Sequence, residues 1–282
     1  MRAPGSTPRA PVVVPPPSGP DRLLGVGPVT VDDAGVCRAS MSCGPWAAGP
    51  DGRPSAGVLG VLLDAVLGQA TLVGRAPDGW AVTTELAVDL AGPVPLEGSL
   101  ECTASVVHVD GEGVLARGQV LDDTGRVVAV ATEWGKFVDG PPDLAPPPPV
   151  PVPRARDLVE LLGGALVPAA DGSAPTASVQ DGPSLRLPGS PALSNELATV
   201  HGGILATASE LAAVAALPAS AGRPFVTGSL RIAYLRPSPV TGDTLFRTRP
   251  VHAGRSFGVV QVEAWSGSGR LATTATVTRR VS

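Results

Sequence analysis

Residues 28–138 and 184–281 carry the same motifs in the same order. Setting Gly57 on Gly203 brings Asp64 onto Glu210. Further on, residues 82–98 (VTTELAVDLAGPVPLEG) fall on 226–242 (VTGSLRIAYLRPSPVTG), His108 falls on His252, and 125–132 (GRVVAVAT) fall on 269–276 (GRLATTAT). The order holds throughout with only a small net gap, which marks an internal duplication. Two copies of one unit are therefore expected.

Each copy opens on short extended segments, runs through one apolar helix of about four turns, and closes with about three or four strands of alternating polarity. In residues 258–266 (GVVQVEAWS), Val260, Val262 and Ala264 share one face, with Gln261 and Glu263 on the other. The DDTGR and GSGR segments read as tight turns between antiparallel strands. A helix that is apolar nearly all round must be wrapped on most of its sides. Aromatic residues make up only 3% of the chain, so Ala, Val and Leu must build that core. The expected fold class is α+β: two antiparallel sheets, each wrapped around a central helix, set side by side so that open sheet edges are covered.

Proline sets the expected boundaries. Residues 1–20 are Pro-, Gly- and Ser-rich and read as a disordered tail. Residues 140–153 (GPPDLAPPPPVPVP) read as an extended linker between a first unit, 21–139, and a second, 154–282. The tail has no long apolar core, so neither a signal peptide nor a membrane span is expected there. A net charge of -4 gives no reason to expect a nucleic-acid partner. The three cysteines, Cys37, Cys43 and Cys102, show no metal-ligand spacing, and their odd number argues against a disulfide scaffold. A reducing, cytoplasmic setting is expected, with no metal and no cofactor.

Residues 199–217 (TVHGGILATASELAAVAAL) hold the main candidate. Glu210 is an acid in an otherwise apolar helix, and no Lys or Arg lies within a turn or two of it on that helix. An unpaired buried carboxylate is costly or is driven to a raised pKa, so Glu210 is expected to be functional unless a partner arrives from elsewhere. Gly202 and Gly203 open the helix, where unpaired N–H groups and a partial positive charge suit an oxyanion. Their bland reading is close packing of the helix. Asp64 earns the same argument as Glu210 in GVLGVLLDAVLGQATL, with weaker surroundings. His108 and His252 read as solvated strand-end residues, and Arg255 is a weak candidate for a phosphate contact.

From Ser184 to Val281 the chain resembles the hotdog-fold acyl-CoA thioesterases of PaaI-like type. HGGILATASELA, VTGSLRIAYLRPSPVTGDTL and the VHAGRSFGVVQVEAWSGSGRLATTATV run carry the resemblance, and a weaker copy covers residues 28–138. It implies a double hotdog, with sites between the two helices and the pseudo-dimer supplied by one chain. It also implies roles for Asn195, six residues before the histidine, for His201-Gly202-Gly203, and for Glu210 as catalytic carboxylate. In the first half Gly49 replaces the Asn and Ser55-Ala56-Gly57 replaces the His-Gly-Gly, leaving Asp64 as the one retained catalytic type. The resemblance places Gly68 and Gln69 toward the opposite helix's acid.

Thioester hydrolysis needs a base or nucleophile, an oxyanion donor and a dry pocket. The expected function is hydrolysis of an acyl-CoA, with Glu210 as base or nucleophile and a Gly amide polarising the carbonyl. Two others compete: a non-catalytic acyl or CoA binder, and an enoyl-CoA hydratase using the spacing of Glu196 and His201. A homo-oligomer of the fused units is left open.

Overall fold

The computed structural model describes residues 17–73, 75, 79–140, 154–168, 184–220 and 222–281. Most of the expected tail and linker, residues 1–16 and 141–153, lies outside the described residues. The tail boundary at residue 20, however, runs through a helix, α1 (Gly19–Leu23). Ser18 and Asp21 close a capping box: the Ser18 hydroxyl accepts from the Asp21 N–H (3.2 Å), and the Asp21 carboxylate accepts from the Ser18 N–H (2.6 Å). Gly19 packs so closely on the Ala192 carbonyl that a Cβ there would lie 2.8 Å from its oxygen. Ser18 to Asp21 are buried, so this short stretch belongs to the core and not to a tail.

Two helices, α2 (Leu59–Val73) and α4 (Gly202–Ala216), form the centre. Every residue from Gly203 to Val214 is buried. The helices cross at their glycines, since a Cβ on Gly203 would lie 2.5 Å from the Val61 Cα and one on Gly60 2.5 Å from the Gly203 oxygen. Gly57 faces Glu210 and Thr207, while Gly202 faces Asp64. As one helix is followed forward the other is met backward, so the pair is antiparallel, and the N-terminus of each meets the acid of the other.

The strands are β1 (Thr30–Val31), β2 (Cys37–Cys43), β3 (Gly79–Leu90), β4 (Gly98–Val109), β5 (Gly113–Asp122) and β6 (Val127–Asp139). After a short α3 (Leu158–Leu161) come β7 (Ala165–Val167), β8 (Ser184–Leu187), β9 (Ala219–Ser220), β10 (Arg223–Tyr234), β11 (Thr244–Ala253), β12 (Phe257–Trp265) and β13 (Leu271–Val281). Their order is β1-β2-β4-β5-β6-β3-β10-β13-β12-β11-β8-β7, with β9 on β10. Read inward from either end, the main strands of the halves follow the same course. Three bulges also match: Thr83/Glu85 with Thr227/Ser229, Val106/His108 with Pro250/His252, and Val120/Leu121 with Ala264/Trp265.

The expectation of two separate sheets is corrected here. β3 and β10 pair antiparallel from Ser229↔Asp89 to Ala233↔Glu85, making one continuous sheet. An unpaired edge leaves backbone groups unsatisfied, and joining the two edges satisfies both. The Arg231 guanidinium adds two bonds to the Asp89 carboxylate across the seam, at 2.7 and 2.9 Å.

Candidate active site

α4 begins where His201 turns out of extended backbone and caps the helix, its Nδ1 accepting from the Gly203 N–H at 3.1 Å. Asp64 comes to the same point from α2. Its Oδ2 accepts from the Gly203 N–H at 2.9 Å and lies 3.1 Å from the His201 Nδ1. Gly202 is pressed against this carboxylate, so that a Cβ would lie 2.8 Å from Asp64 Oδ1. Any larger residue would push the acid off the helix end. Asp64 Oδ1 itself has no hydrogen-bond partner among the described residues.

The carboxylate opens on a cavity of about 440 Å³. α2 lines it with Asp64, Ala65, Gly68, Gln69 and Leu72, β3 with Trp80 to Thr84, and the approach to α4 with Asn195, His201 and Gly202. Tyr234 closes one side, its hydroxyl donating to the Gly202 carbonyl at 3.0 Å and pinning the helix start. Behind Thr83 lies Glu133 of β6. The Thr83 hydroxyl is 3.0 Å from Glu133 Oε1, and Oε2 has no hydrogen-bond partner among the described residues.

Burial pushes the Asp64 carboxyl above its usual range, against the pull of His201 and of the Gly203 N–H. Glu133 is pushed well above the usual carboxylate range, by burial first and then by the nearby Asp64 charge. The Tyr234 phenol is pushed well up by burial and by these two acids, so it remains a donor. The site thus has two neighbouring acids that burial pushes up, Asp64 with the Gly203 N–H working against that shift and Glu133 raised further by the Asp64 charge.

Glu210 lies elsewhere. It is not among the residues lining the cavity. Ser55 donates to its Oε2 at 2.5 Å and Thr227 to its Oε1 at 2.6 Å. Arg279, from β13, reaches to 4.0 Å and also lies 3.7 Å from Asp51. The partner missing from its own helix comes from a strand distant in sequence. Ser55 here does what His201 does in the other arrangement: it caps, accepting from the Gly57 N–H at 3.1 Å, and touches the opposed acid.

The remaining candidates divide. Asn195, His201, Gly202, Gly68 and Gln69 all border the cavity with Asp64. Asn195 acts as a loop staple, its Oδ1 accepting from the Leu197 and Thr199 N–H groups at 3.0 and 3.1 Å. Arg255 stands exposed in the β11–β12 turn, away from the cavity, while Arg236 is exposed at its mouth. His108 and His252 sit exposed at the matching bulges. Sequence reasoning passed over Thr83, Glu133 and Tyr234. Glu133 was detectable, because it shares the inward face of β6 with Ala129, Ala131 and Gly135, where an acid is out of place.

Residues 197–273 match the family model described as "Thioesterase superfamily". No match was found among curated proteins. Among solved structures the chain is similar to the acyl-CoA thioesterase II TesB2 of Mycobacterium marinum, at 12% identity and a TM-score of 0.60, over 93% of this chain and 97% of that one. It is also similar to the tesB protein of Mycobacterium avium subs paratuberculosis, at 11% identity and a TM-score of 0.63, over 94% and 100% of the two chains. An acyl-ACP thioesterase from Bacteroides thetaiotaomicron is similar at 13% identity and a TM-score of 0.52, over 87% and 98%. Residues 197–273 thus match the thioesterase-superfamily model, and over its length the chain has the hotdog-like fold of the thioesterases to which it is similar.

Proposed function

We propose that the protein hydrolyses acyl thioesters, with an acyl-CoA as substrate, in the cavity between α2 and α4, and that Asp64 is the acting carboxylate. One observation carries this reading: Asp64 sits on the N-terminus of α4 with one oxygen bonded and the other, in a residue that borders the cavity, unpartnered among the described residues. Glu210, the acid favoured from sequence, has both oxygens engaged and a buried arginine behind them. Its role on this reading is to hold the fold.

Asp64 takes a proton from water, and the hydroxide oxygen bonds to the thioester carbon. The negative charge that develops on the carbonyl oxygen is met at the start of α4. Gly203 spends its N–H on Asp64 and His201, so the first helical N–H, that of Gly202, is the donor assigned to the oxyanion. Collapse breaks the carbon–sulfur bond, and Asp64 returns the proton to the departing thiolate. His201 caps the helix end on which Asp64 sits, Tyr234 fixes that end, and Thr83 with Glu133 forms the polar wall behind the reacting atoms. Arg236 replaces Arg255 as the cation nearest a carrier phosphate. The His-Gly-Gly keeps the PaaI-like reading for the second half, while the whole-chain likeness is to proteins named thioesterase II and tesB.

Release of free thiol from a panel of acyl-CoAs tests the reading. Turnover that is lost in Asp64→Asn and kept in Glu210→Gln supports it. Tight acyl-CoA binding with no thiol release would make the protein a binder instead.

A further inference from the structure

Asp21 is a second carboxylate bordering the same cavity, and the reaction above does not use it. Its Oδ2 takes the Ser18 N–H at 2.6 Å, while its Oδ1 is buried with no hydrogen-bond partner among the described residues. The residue is only 9% exposed. The same cavity is lined by apolar Val29, Ala65 and Leu72, and the Asp21 charge is near enough to Asp64 to push that acid's pKa up. A capping box needs only one carboxylate oxygen, so the cap leaves Oδ1 free. A buried acceptor without a donor is costly, and a site built around one discriminates strongly for a ligand that supplies the donor.

The position of Asp21 indicates which part of a substrate it meets. A cavity of about 440 Å³ is near the low end of ligand pockets and has room for an acyl group and its thioester, so the carrier extends through the mouth past exposed Arg236 and Leu235. Asp21, by contrast, is a buried lining residue, and it is assigned to the enclosed acyl part of the substrate. We propose that Asp21 is a specificity residue, selecting acyl groups that carry a hydrogen-bond donor, a hydroxyl or an amino group, over their unsubstituted equivalents. This rests on the thioester reading of the cavity.

The test compares hexanoyl-CoA with its relatives bearing one hydroxyl at C3, C4, C5 or C6, and with 6-aminohexanoyl-CoA. The wild-type chain is expected to favour at least one donor-bearing member by about 10- to 100-fold in kcat/KM, the span of a hydrogen bond to a charged group. That ratio falls to about one in Asp21→Ala. For 6-aminohexanoyl-CoA, whose ammonium can only donate, it also falls to about one in Asp21→Asn, which keeps an oxygen for the Ser18 N–H and turns the free oxygen into a donor. Ser18→Ala removes the other half of the capping box and keeps the ratio, so loss of the cap alone does not imitate the effect. A wild-type ratio near one for every member, or a ratio unchanged in Asp21→Ala, overturns the proposal. Binding of the matching non-hydrolysable thioethers separates the two readings. A chain that releases no thiol but still prefers the donor-bearing thioether loses the reaction and keeps Asp21. Equal affinities with normal turnover do the reverse.

Discussion

The Arg279 guanidinium lies 4.0 Å from the Glu210 carboxylate, and the two side chains are 1% and 2% exposed. Arg279 also donates to the Phe225 carbonyl at 2.7 Å. Extending the alignment of 125–132 with 269–276 places Gly135 at the position of Arg279. A Cβ on Gly135 would lie 3.1 Å from Thr71, and with glycine there the first half has no cation at the matching position. One acid is therefore sealed by a cation from the sheet. The other, Asp64, is left open to a cavity.

This contrast decides the mutant comparison. Asp64→Asn keeps the shape and removes the base, and kcat should fall by about 10²–10⁴-fold. Glu210→Gln should leave most of the turnover when assayed well below its melting temperature. Steady-state thiol release on one responsive acyl-CoA checks both, and the opposite pattern would restore Glu210 as the catalytic acid.

Stability should respond the other way. Removing one member of a buried ion pair strands the other, at a cost of about 3–5 kcal/mol. Glu210→Gln and Arg279→Met should each lower the denaturation midpoint markedly, toward the low end of that range for Glu210→Gln because Asp51 stays 3.7 Å from Arg279. The double variant should lose less than the sum of the two. Strict additivity in chemical denaturation would show that the pair is not coupled.

The acids also set a pH dependence. Asp64 must be ionised to act, and burial raises its pKa, so kcat/KM should climb with pH through a midpoint above the ordinary Asp value of about 3.9. For stability the sign is opposite. Glu133 binds its proton more tightly folded than unfolded, so its contribution is full below the unfolded pKa of about 4.3 and is lost as pH rises through the folded value. Glu133→Gln should flatten the fall in melting temperature above that point. An equally steep fall in the variant would remove Glu133 as its source.

Gly203→Ala should be among the most damaging small substitutions. The new methyl would meet the Val61 Cα at 2.5 Å, and neither backbone yields easily. Overpacking of this kind costs about 1–3 kcal/mol or more, and it would also part Asp64 from the helix end. Thermal melts and thiol release should both fall. Wild-type values for either would mean that the helices do not cross at this point.

The sequence by itself determined what local chemistry determines. The apolar residues of α2 and α4 required burial, the strand alternation required a sheet, and His201 before two glycines required a capped helix start, because each depends on neighbours a few residues away. It also named both acids. Tertiary structure alone decided which acid borders a cavity, which acid is paired with an arginine, and how the edges close. Antiparallel packing of α2 on α4 carries Asp64 to the N-terminus of the other half's helix, so residues of the incomplete motif in the first half and of the fuller one in the second line one cavity. The partner of Glu210 arrives on β13, and the open edge of one half is satisfied by β10 of the other. These are encounters between residues far apart in the chain, and no local pattern encodes them.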